Sequence, residues 1–536
     1  MSAPASRKGQ IILAALVLIV VAGTYFVLSY QREKAVRQFL ADIPGGLKAE
    51  SIDACPFSKN VVLHKLSGTV SFFPASPITV SIDRLTLKGL HPEALAAPKS
   101  RSVETKGADS GRSPAKPGYA KPVRLVEFIE AENLLLRTSP ESLALMGYQE
   151  IFYGSLQMDS LAADVQSLAA AAGKEPGTEA FADFILSLRL GASVSKNTRY
   201  KAGDRYSGME MRCASSKDDA YSFTRIGHIR GKDLVISVPT EKGMQVRVSV
   251  DEYDCQGFEA PERGYRMMLL NPEAYEDMDE GEALALLLEG YRLKDLNISG
   301  LRLDLNQISI LEIDKLLLSL DIGTGRLAFS TRTQDLTIPP AAIAMLGRNN
   351  KALADVLKGI KIKFNSNNSL RTEIQDDRVD IIYQEQVELK ELARWNFSAT
   401  VSGANSHDET ALVPINGMTV GLKELGFEVT DTGLLEQIFA AMAVQLNRLT
   451  AGDEQLGPDD LRDMLIEKLG GYQEKMPEGS PGHTAMENFI RFVAGSGSFS
   501  LRFDPDSPLT GIELMLLGDD YAQLPIKSSH TPPANR

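Results

Sequence analysis

The feature that most constrains this chain is a recurring change of phase. In Ile78–Leu87, ITVSIDRLTL, the residues Ile78, Val80 and Ile82 alternate as one face of a strand. The next apolar residues, Leu85 and Leu87, fall one position late, and the slip coincides with the charged pair Asp83–Arg84. The pattern recurs at Tyr291/Leu293, Lys294–Asp295, Leu296/Ile298, and at Leu311/Ile313, Asp314–Lys315, Leu316/Leu318. It recurs again at Val420/Leu422, Lys423–Glu424, Leu425/Phe427, and opens the same way at Val387/Leu389, Lys390–Glu391, Leu392.

In a plain strand a three-residue step throws the second half onto the wrong face. One extra residue, a β-bulge, restores the face and adds twist and bend. A two-residue hairpin also restores it, but favours Asn-Gly or Asp-Gly over Lys-Glu. A turn of helix is the competing reading, strongest at 387–395, VELKELARW. Bulged strands that bend at outward charged pairs are the expectation. Val80, Ile82, Leu85 and Leu87, with Leu311, Ile313, Leu316 and Leu318, would then share a concave apolar face, either an open groove or a surface filled by helices.

Further alternation at VRVSVD (246–251), IKIKF (360–364), NFSATV (396–401) and SFSLRF (498–503) marks half-buried strands. Helical spacing appears in Thr432–Leu449, where Leu434, Leu435, Ile438, Phe439, Met442 and Leu446 form one stripe, and continues in Leu461, Met464, Leu465 and Leu469. Thr484 and Glu487 read as a capping box ahead of Phe489, Ile490 and Val493. Pro272–Gly290 and Pro340–Lys358 are further helical candidates.

Ile11–Tyr30 is twenty residues without a charge. As a helix it reaches about 30 Å, the thickness of a bilayer core. Arg7 and Lys8 precede it, and Tyr25, Phe26 and Tyr30 suit an interfacial belt. The competing reading is a cleaved signal peptide, but the apolar run continues past Gly23 and lacks a clean A-x-A site. An uncleaved single-pass anchor is expected, with the ten-residue tail in the cytoplasm and the bulk of the chain outside. The fold class expected is α+β and β-rich: one N-terminal transmembrane helix, then a long curled antiparallel or mixed sheet with packed helices. Its parts are a tail over 1–10, the spanning helix over 11–30, and β-rich segments over 40–95, 123–260 and 261–425, the last with helical insertions. A Pro/Gly/Ser/Lys-rich linker fills 96–122, a helical segment returning to strands fills 426–527, and 528–536 is expected to be a disordered tail.

With 536 residues and 43% hydrophobic composition the chain can bury a large core. A net charge of −13 argues against a nucleic-acid partner. Three cysteines are too few for a disulfide scaffold. Cys213 and Cys255 end strand-like runs and are the candidate pair, worth about 4 kcal/mol if bridged. Two separate buried thiols are the alternative, and Cys55 is left single.

The anchor, followed by SIDACPFSKNVVLHKLSGTV and PITVSIDRLTLKGL, resembles the opening of AsmA-like envelope proteins of Gram-negative bacteria. The resemblance covers about 80 residues and a style of strands, and 432–494 is not part of it. The chain is also similar to uncharacterised membrane-anchored periplasmic proteins of bacteria. The resemblance implies an inner-membrane helix, a periplasmic β-rich body with a groove-forming sheet, and a role in lipid transport or envelope homeostasis.

Catalytic constellations are not found. GSGSFS (495–500) has the wrong order for a nucleophile elbow and reads as a helix-to-strand turn. The six histidines are scattered without metal-ligand spacing, and DMDEGE (277–282) places its glycine and its twelfth residue wrongly for a calcium loop. No cofactor or metal is expected, and no enzymatic activity. The expected function is binding or conveying lipid, or another hydrophobic ligand, in the sheet's groove. The alternative is a structural or adaptor envelope protein with a closed core that binds other proteins.

Overall fold

In the computed structural model Pro77–Lys88 is one strand in which Ile78, Val80, Ile82, Leu85 and Leu87 are buried while Asp83 and Arg84 are exposed. The structure describes residues 32–42, 46–54, 60–71, 77–91, 122–138, 148–164, 179–202, 208–219, 221–222, 224–240, 243–260, 291–323, 326–346, 362–407, 413–450, 455–510 and 524–533, with single positions elsewhere. The chain divides into two units, Met1–Arg292 and Leu293–Arg536.

The first unit is built from β1 (Leu47–Lys48), β2 (Ser51–Ala54), β3 (Val61–Ser71), β4 (Pro77–Lys88), β5 (Val123–Val126), β6 (Phe128–Thr138), β7 (Glu150–Met158) and β8 (Leu161–Ala163). It continues with β9 (Arg189–Leu190), β10 (Ser193–Lys201), β11 (Glu210–Asp218), β12 (Tyr221–Ser222), β13 (Arg225–Pro239) and β14 (Gln245–Glu259). The principal strands pair antiparallel in the succession β3, β4, β6, β7, β10, β11, β13, β14. β5, β8, β9 and β12 are short continuations of β6, β7, β10 and β11 past a brief break, and pair with one another.

The slip at Asp83 belongs to every strand of that succession. Register places Lys65, Asp83, Asn133, Gly154, Asn197, Ala214, Asp233 and Asp251 opposite one another in one row. At this row two consecutive residues of each strand leave the core, and buried positions resume beyond it: Leu63 then Leu66, Ala131 then Leu134, Tyr153 then Leu156, Ser195 then Thr198. This corrects the bulge expected at Asp83–Arg84. No strand carries an extra residue there, because pairing is in the same register on both sides of the row. The device is a left-handed residue on alternate strands: Lys65 (φ 48°), Asn133 (φ 51°), Asn197 (φ 51°) and Asp233 (φ 52°). Asn and Asp accept this conformation more readily than other side-chain-bearing residues. Asn133 Nδ2 also donates to Asp83 Oδ2 of the neighbouring strand at 2.8 Å. Gly154 is needed opposite Asn197, because a Cβ there would stand 3.0 Å from that of Asn197. Each left-handed residue costs about 1–2 kcal/mol, whereas each large apolar side chain kept inside gains about 1.5–3 kcal/mol.

The outer edge of β3 is covered. β1 and β2 pair with it, and α1 (Arg32–Asp42) packs on both. Arg37 of α1 donates to Ala49 O at 2.7 Å and Glu50 O at 2.9 Å, satisfying carbonyls beside a short edge strand. α2 (Glu179–Ser187) buries Ala182, Phe184, Ile185 and Leu186. Leu13, Leu16, Val17 and Val20, spaced as one helical stripe, are also buried within the chain. No helix among the described residues is long and apolar enough to cross a membrane.

The second unit contains β15 (Arg292–Leu305), β16 (Ile308–Gly323), β17 (Arg326–Ile338), α3 (Pro340–Leu346), β18 (Ile362–Ile374), β19 (Arg378–Leu389), β20 (Ala393–Ala404) and β21 (Gly421–Asp431). Then come α4 (Leu434–Thr450), α5 (Pro458–Gln473), α6 (Pro481–Gly495), β22 (Gly497–Phe503), β23 (Leu509–Thr510) and β24 (Ile526–Thr531). β16 to β22 and then β24 pair antiparallel in chain order, with β23 beside β21. The expected disorder from Ser528 is corrected over 528–531. β24 pairs with β22, and Asn488 of α6 donates to Ser528 O at 3.2 Å.

Here the charged pairs do different things. Lys294 and Asp295 are exposed along β15. Lys423–Glu424 is a true bulge, since the register between β20 and β21 shifts between Thr400 and Val401. Another register shift falls on β17 between Thr333 and Leu336, beside Asp314–Lys315 of β16. Its left-handed Asp335 (φ 51°) is held by Lys390, and Asp335 N donates to Asn365 Oδ1 at 2.9 Å. Lys390–Glu391 is instead a turn. Residues 390–392 join β19 to β20 as a three-residue hairpin loop with Glu391 at φ 67°.

The helices form a cap. Phe439, Ala443, Leu461, Phe492, Val493 and Phe499 are a buried cluster, with Phe427, Val429, Phe489 and Leu501 packed against it. α6 begins earlier than the capping-box reading placed it: Ser480 is its N-cap and accepts from His483 N at 3.2 Å, so Thr484 lies inside the helix. GSGSFS does turn a helix into a strand, as α6 ends at Gly495 and β22 starts at Gly497. The predicted helix 272–290, DMDEGE, Cys55 and residues 96–121 lie outside the described residues, as does 347–358 beyond α3.

Candidate functional site

The two stretches expected to share an apolar groove meet different fates. In the first unit Val80, Ile82, Leu85 and Leu87 have no accessible surface (0%), so the groove expected there is a closed core. Of the four residues expected on β16, Ile313 is buried and Leu311, Leu316 and Leu318 are half-buried, with Asp314 exposed and Lys315 half-buried. Of the two stretches, the one left open is that of β16, in the second unit.

Register defines that face. Leu316, Thr333, Ser366, Val387 and Trp395 form one row across β16 to β20. Leu318, Thr331, Asn368, Glu385 and Phe397 form the next, and Leu320, Phe329, Leu370, Tyr383 and Ala399 a third. Of these fifteen positions only Val387 is buried; the others are half-buried. The helical cap packs on the continuation of the same face, at Phe427 and Val429 of β21 and Phe499 and Leu501 of β22. The opposite face carries Ser319, Ser330, Ser369, Gln384 and Ser398, so the two sides differ strongly in polarity. Tyr383 and Phe397 pack with ring centroids 5.9 Å apart. Tyr383 OH donates to Glu385 Oε2 at 3.2 Å, and burial followed by the Glu385 charge raises the phenol above its ordinary range.

A second cluster sits on the polar face at the Lys423 bulge. Asp380, nearly enclosed, accepts from Ser402 Oγ at 2.5 Å and Lys423 Nζ at 2.7 Å, with Arg378 Nε at 3.2 Å. Burial alone would raise its pKa, but the Lys423 and Ser402 hydrogen bonds and the charges of Lys423 and Arg378 outweigh that and hold it low. The cluster clasps three strands around the bulge and has no group aimed at an outside ligand.

The cysteine pairing is corrected. Neither Cys213 nor Cys255 is in a disulfide. Cys255 stands opposite Ile229, which lies in the Asp218 row, five positions along β11 from Cys213. At about 3.3 Å per residue that is roughly 16 Å along the strands, well beyond the ~7 Å limit for a bridge. Cys213 Sγ lies 3.2 Å from Ser215 O and 3.9 Å from Tyr253 OH, and burial pushes its pKa up despite those contacts. It is a packed thiol.

Sequence reading missed one cavity. It has a volume of about 510 Å³ and lies on the outer face of β11, β13 and β14, lined by Glu210, Arg212, Val235, Ser237 and Arg247 among others. Arg212 pairs with Glu210 at 3.2 Å, which spends one of its two guanidinium charges within the cavity. Among the described residues no group of His, Cys, Asp and Glu has metal-site geometry. No protein-family model matches the chain, and a comparison with curated proteins gave no match.

Proposed function

We propose that this protein is a membrane-anchored bacterial envelope protein whose second unit holds a hydrophobic ligand, an acyl chain, on the apolar face of β16–β20. The observation that carries the reading is the residual exposure of that face: Leu316, Leu318, Leu320, Phe329, Leu370 and Phe397 all keep accessible surface, while the equivalent side of β4 keeps none. A strip of such side chains left in water forgoes about 25 cal/mol per Å², which an acyl chain laid on it would recover. Location rests on the charge-free run Ile11–Tyr30 and on the likeness to AsmA-like proteins. The role proposed is binding or carriage, with no chemical step.

Trp395, the only tryptophan of the chain, lies on this face and gives the test. Long-chain ligands should change its fluorescence saturably, and lipid should accompany the purified protein in mass spectrometry. Leu318→Asp should remove both signals with the fold intact. Absence of lipid and an unresponsive Trp395 would reject the reading.

The adaptor reading has its own observation. Ile438 and Met442 of α4 and Met464 and Leu465 of α5 are exposed (37–55%), although they belong to the apolar stripes of their helices. An apolar patch on the helical cap suits a protein partner. It predicts that Met442→Glu with Met464→Glu alters co-purifying proteins while leaving Trp395 fluorescence unchanged.

A further inference from the structure

We infer that the amphiphile taken by this face has an uncharged or cationic head that donates hydrogen bonds, a hydroxyl or an amine, and that anionic heads are disfavoured. The inference rests on the acyl-chain reading above and adds the chemistry of the head. Amid the leucines and aromatics, five polar side chains gather on three neighbouring strands: Thr331 and Thr333 of β17, Ser366 and Asn368 of β18, and Glu385 of β19.

Their hydrogen-bond balance is one-sided. Thr333 Oγ1 and Ser366 Oγ satisfy each other at 2.6 Å. Asn368 Nδ2 donates to Thr331 Oγ1 at 3.4 Å, but Asn368 Oδ1 is buried and has no partner. A buried acceptor left unmade is costly, by about 1–3 kcal/mol, so it marks a place where a donor belongs. Next to it in the same row stands Glu385, whose contact is the Tyr383 hydroxyl at 3.2 Å and which has no lysine or arginine partner among the described residues.

Cations are absent from the face among the described residues. Alternation puts Arg332, Arg371 and Arg394 on the opposite side of β17, β18 and β20, and Lys315 turns away beside Leu316. A carboxylate or phosphate head would therefore meet a carboxylate and a carbonyl oxygen with no compensating positive charge, which repels it. A glycerol hydroxyl or a long-chain amine would supply the proton that Asn368 Oδ1 and Glu385 both accept.

The test uses the full chain and four probes of equal chain length: a monoacylglycerol, a primary alkylamine, the free fatty acid, and a lysophosphatidic acid. Trp395 fluorescence reads the dissociation constants. The monoacylglycerol and the amine are expected to bind about tenfold or more tightly than either anion, the worth of one hydrogen bond made or one repulsion avoided. Glu385→Gln should abolish the amine preference, and Asn368→Leu should weaken both the monoacylglycerol and the amine while leaving the two anions unchanged. Glu385→Lys should reverse the order in favour of the fatty acid, with circular dichroism unchanged. Anions binding as tightly as the neutral probe, or an order unmoved by Glu385→Lys, would overturn this inference while leaving the acyl-chain reading in place. Failure of all four probes would instead reject the acyl-chain reading, and the head chemistry with it.

Discussion

Leu85 follows the charged pair on β4 and has no accessible surface (0%), whereas Leu318, just beyond the corresponding pair on β16, is half-buried. The two strands have the same local pattern and opposite environments. In the first unit the whole succession of strands changes phase along a single row, so the inner side chains stay aligned and close into one core. In the second, irregularities are local, at Thr333/Leu336 and at Thr400/Val401, and the apolar face is packed by helices at β21–β22. A shared pattern of apolar residues and charged pairs thus reports which side faces inward, and not how completely that side is filled.

The comparison breaks most visibly under charge insertion. Leu85→Asp should unfold the first unit, since it loses about 1.5–3 kcal/mol of burial and places a carboxylate in a sealed core at several kcal/mol more. Leu318→Asp should lower stability by less than about 1.5 kcal/mol, because its position already touches water. Urea titrations followed by far-UV circular dichroism measure both. Equal losses would erase the distinction drawn between the units.

A smaller effect is expected at Gly231. A Cβ there would lie 2.3 Å from the Tyr253 ring, so Gly231→Ala should cost about 1–3 kcal/mol through overpacking. Adding Tyr253→Ala should make the Gly231 change nearly neutral in a double-mutant cycle. If the two losses simply add, Tyr253 does not lie across Gly231.

The second unit carries the acid response. The Asp380 carboxyl sits below its ordinary value of 3.8, so its contribution is present above that pH and fades as pH falls through the lower folded value. Stability should hold from neutral pH down to about 4 and then fall. Asp380→Asn should be less stable at neutral pH, with a shallower loss below about 4. Parallel pH curves for the two proteins would remove Asp380 from the explanation. The smallest effect is reductant: dithiothreitol should leave the melting temperature unchanged, because Cys213 and Cys255 are not bridged. A lowered melting temperature would reopen the pairing.

The apolar face of β4 was legible because burying Asp83 and Arg84 together is so unfavourable that the flanking leucines had to turn inward. The mechanism was not legible. An extra residue in one strand and a left-handed residue in alternate strands give the same three-residue step, and only pairing distinguishes them. Lys390–Glu391 shows a third solution, a three-residue loop, to the same spacing. On α4, Ile438 and Met442 shared a stripe with Phe439, but the cap reaches only part of the stripe and leaves them exposed. β24 was missed because Lys527, Ser528, Ser529 and His530 give no apolar signal, their place being set by backbone pairing to β22. The site's own polar members, Thr331, Asn368 and Glu385, lie far apart in sequence and become one row only through register.

The sequence by itself determined that this chain is β-rich, where its strands turn polar residues outward, and which segment is helical near 434–495, since side-chain period and charge cost act over a few residues. Tertiary structure alone decided that the slips of the first unit fall in one row, that the apolar face at β4 is sealed and the one at β16–β20 left open, and that the unpartnered Asn368 carbonyl stands in one row with Glu385 on the open one. Those outcomes depend on which strand neighbours which and on what packs above them. Such relations are set by contacts between residues distant in the chain, and no local period records them.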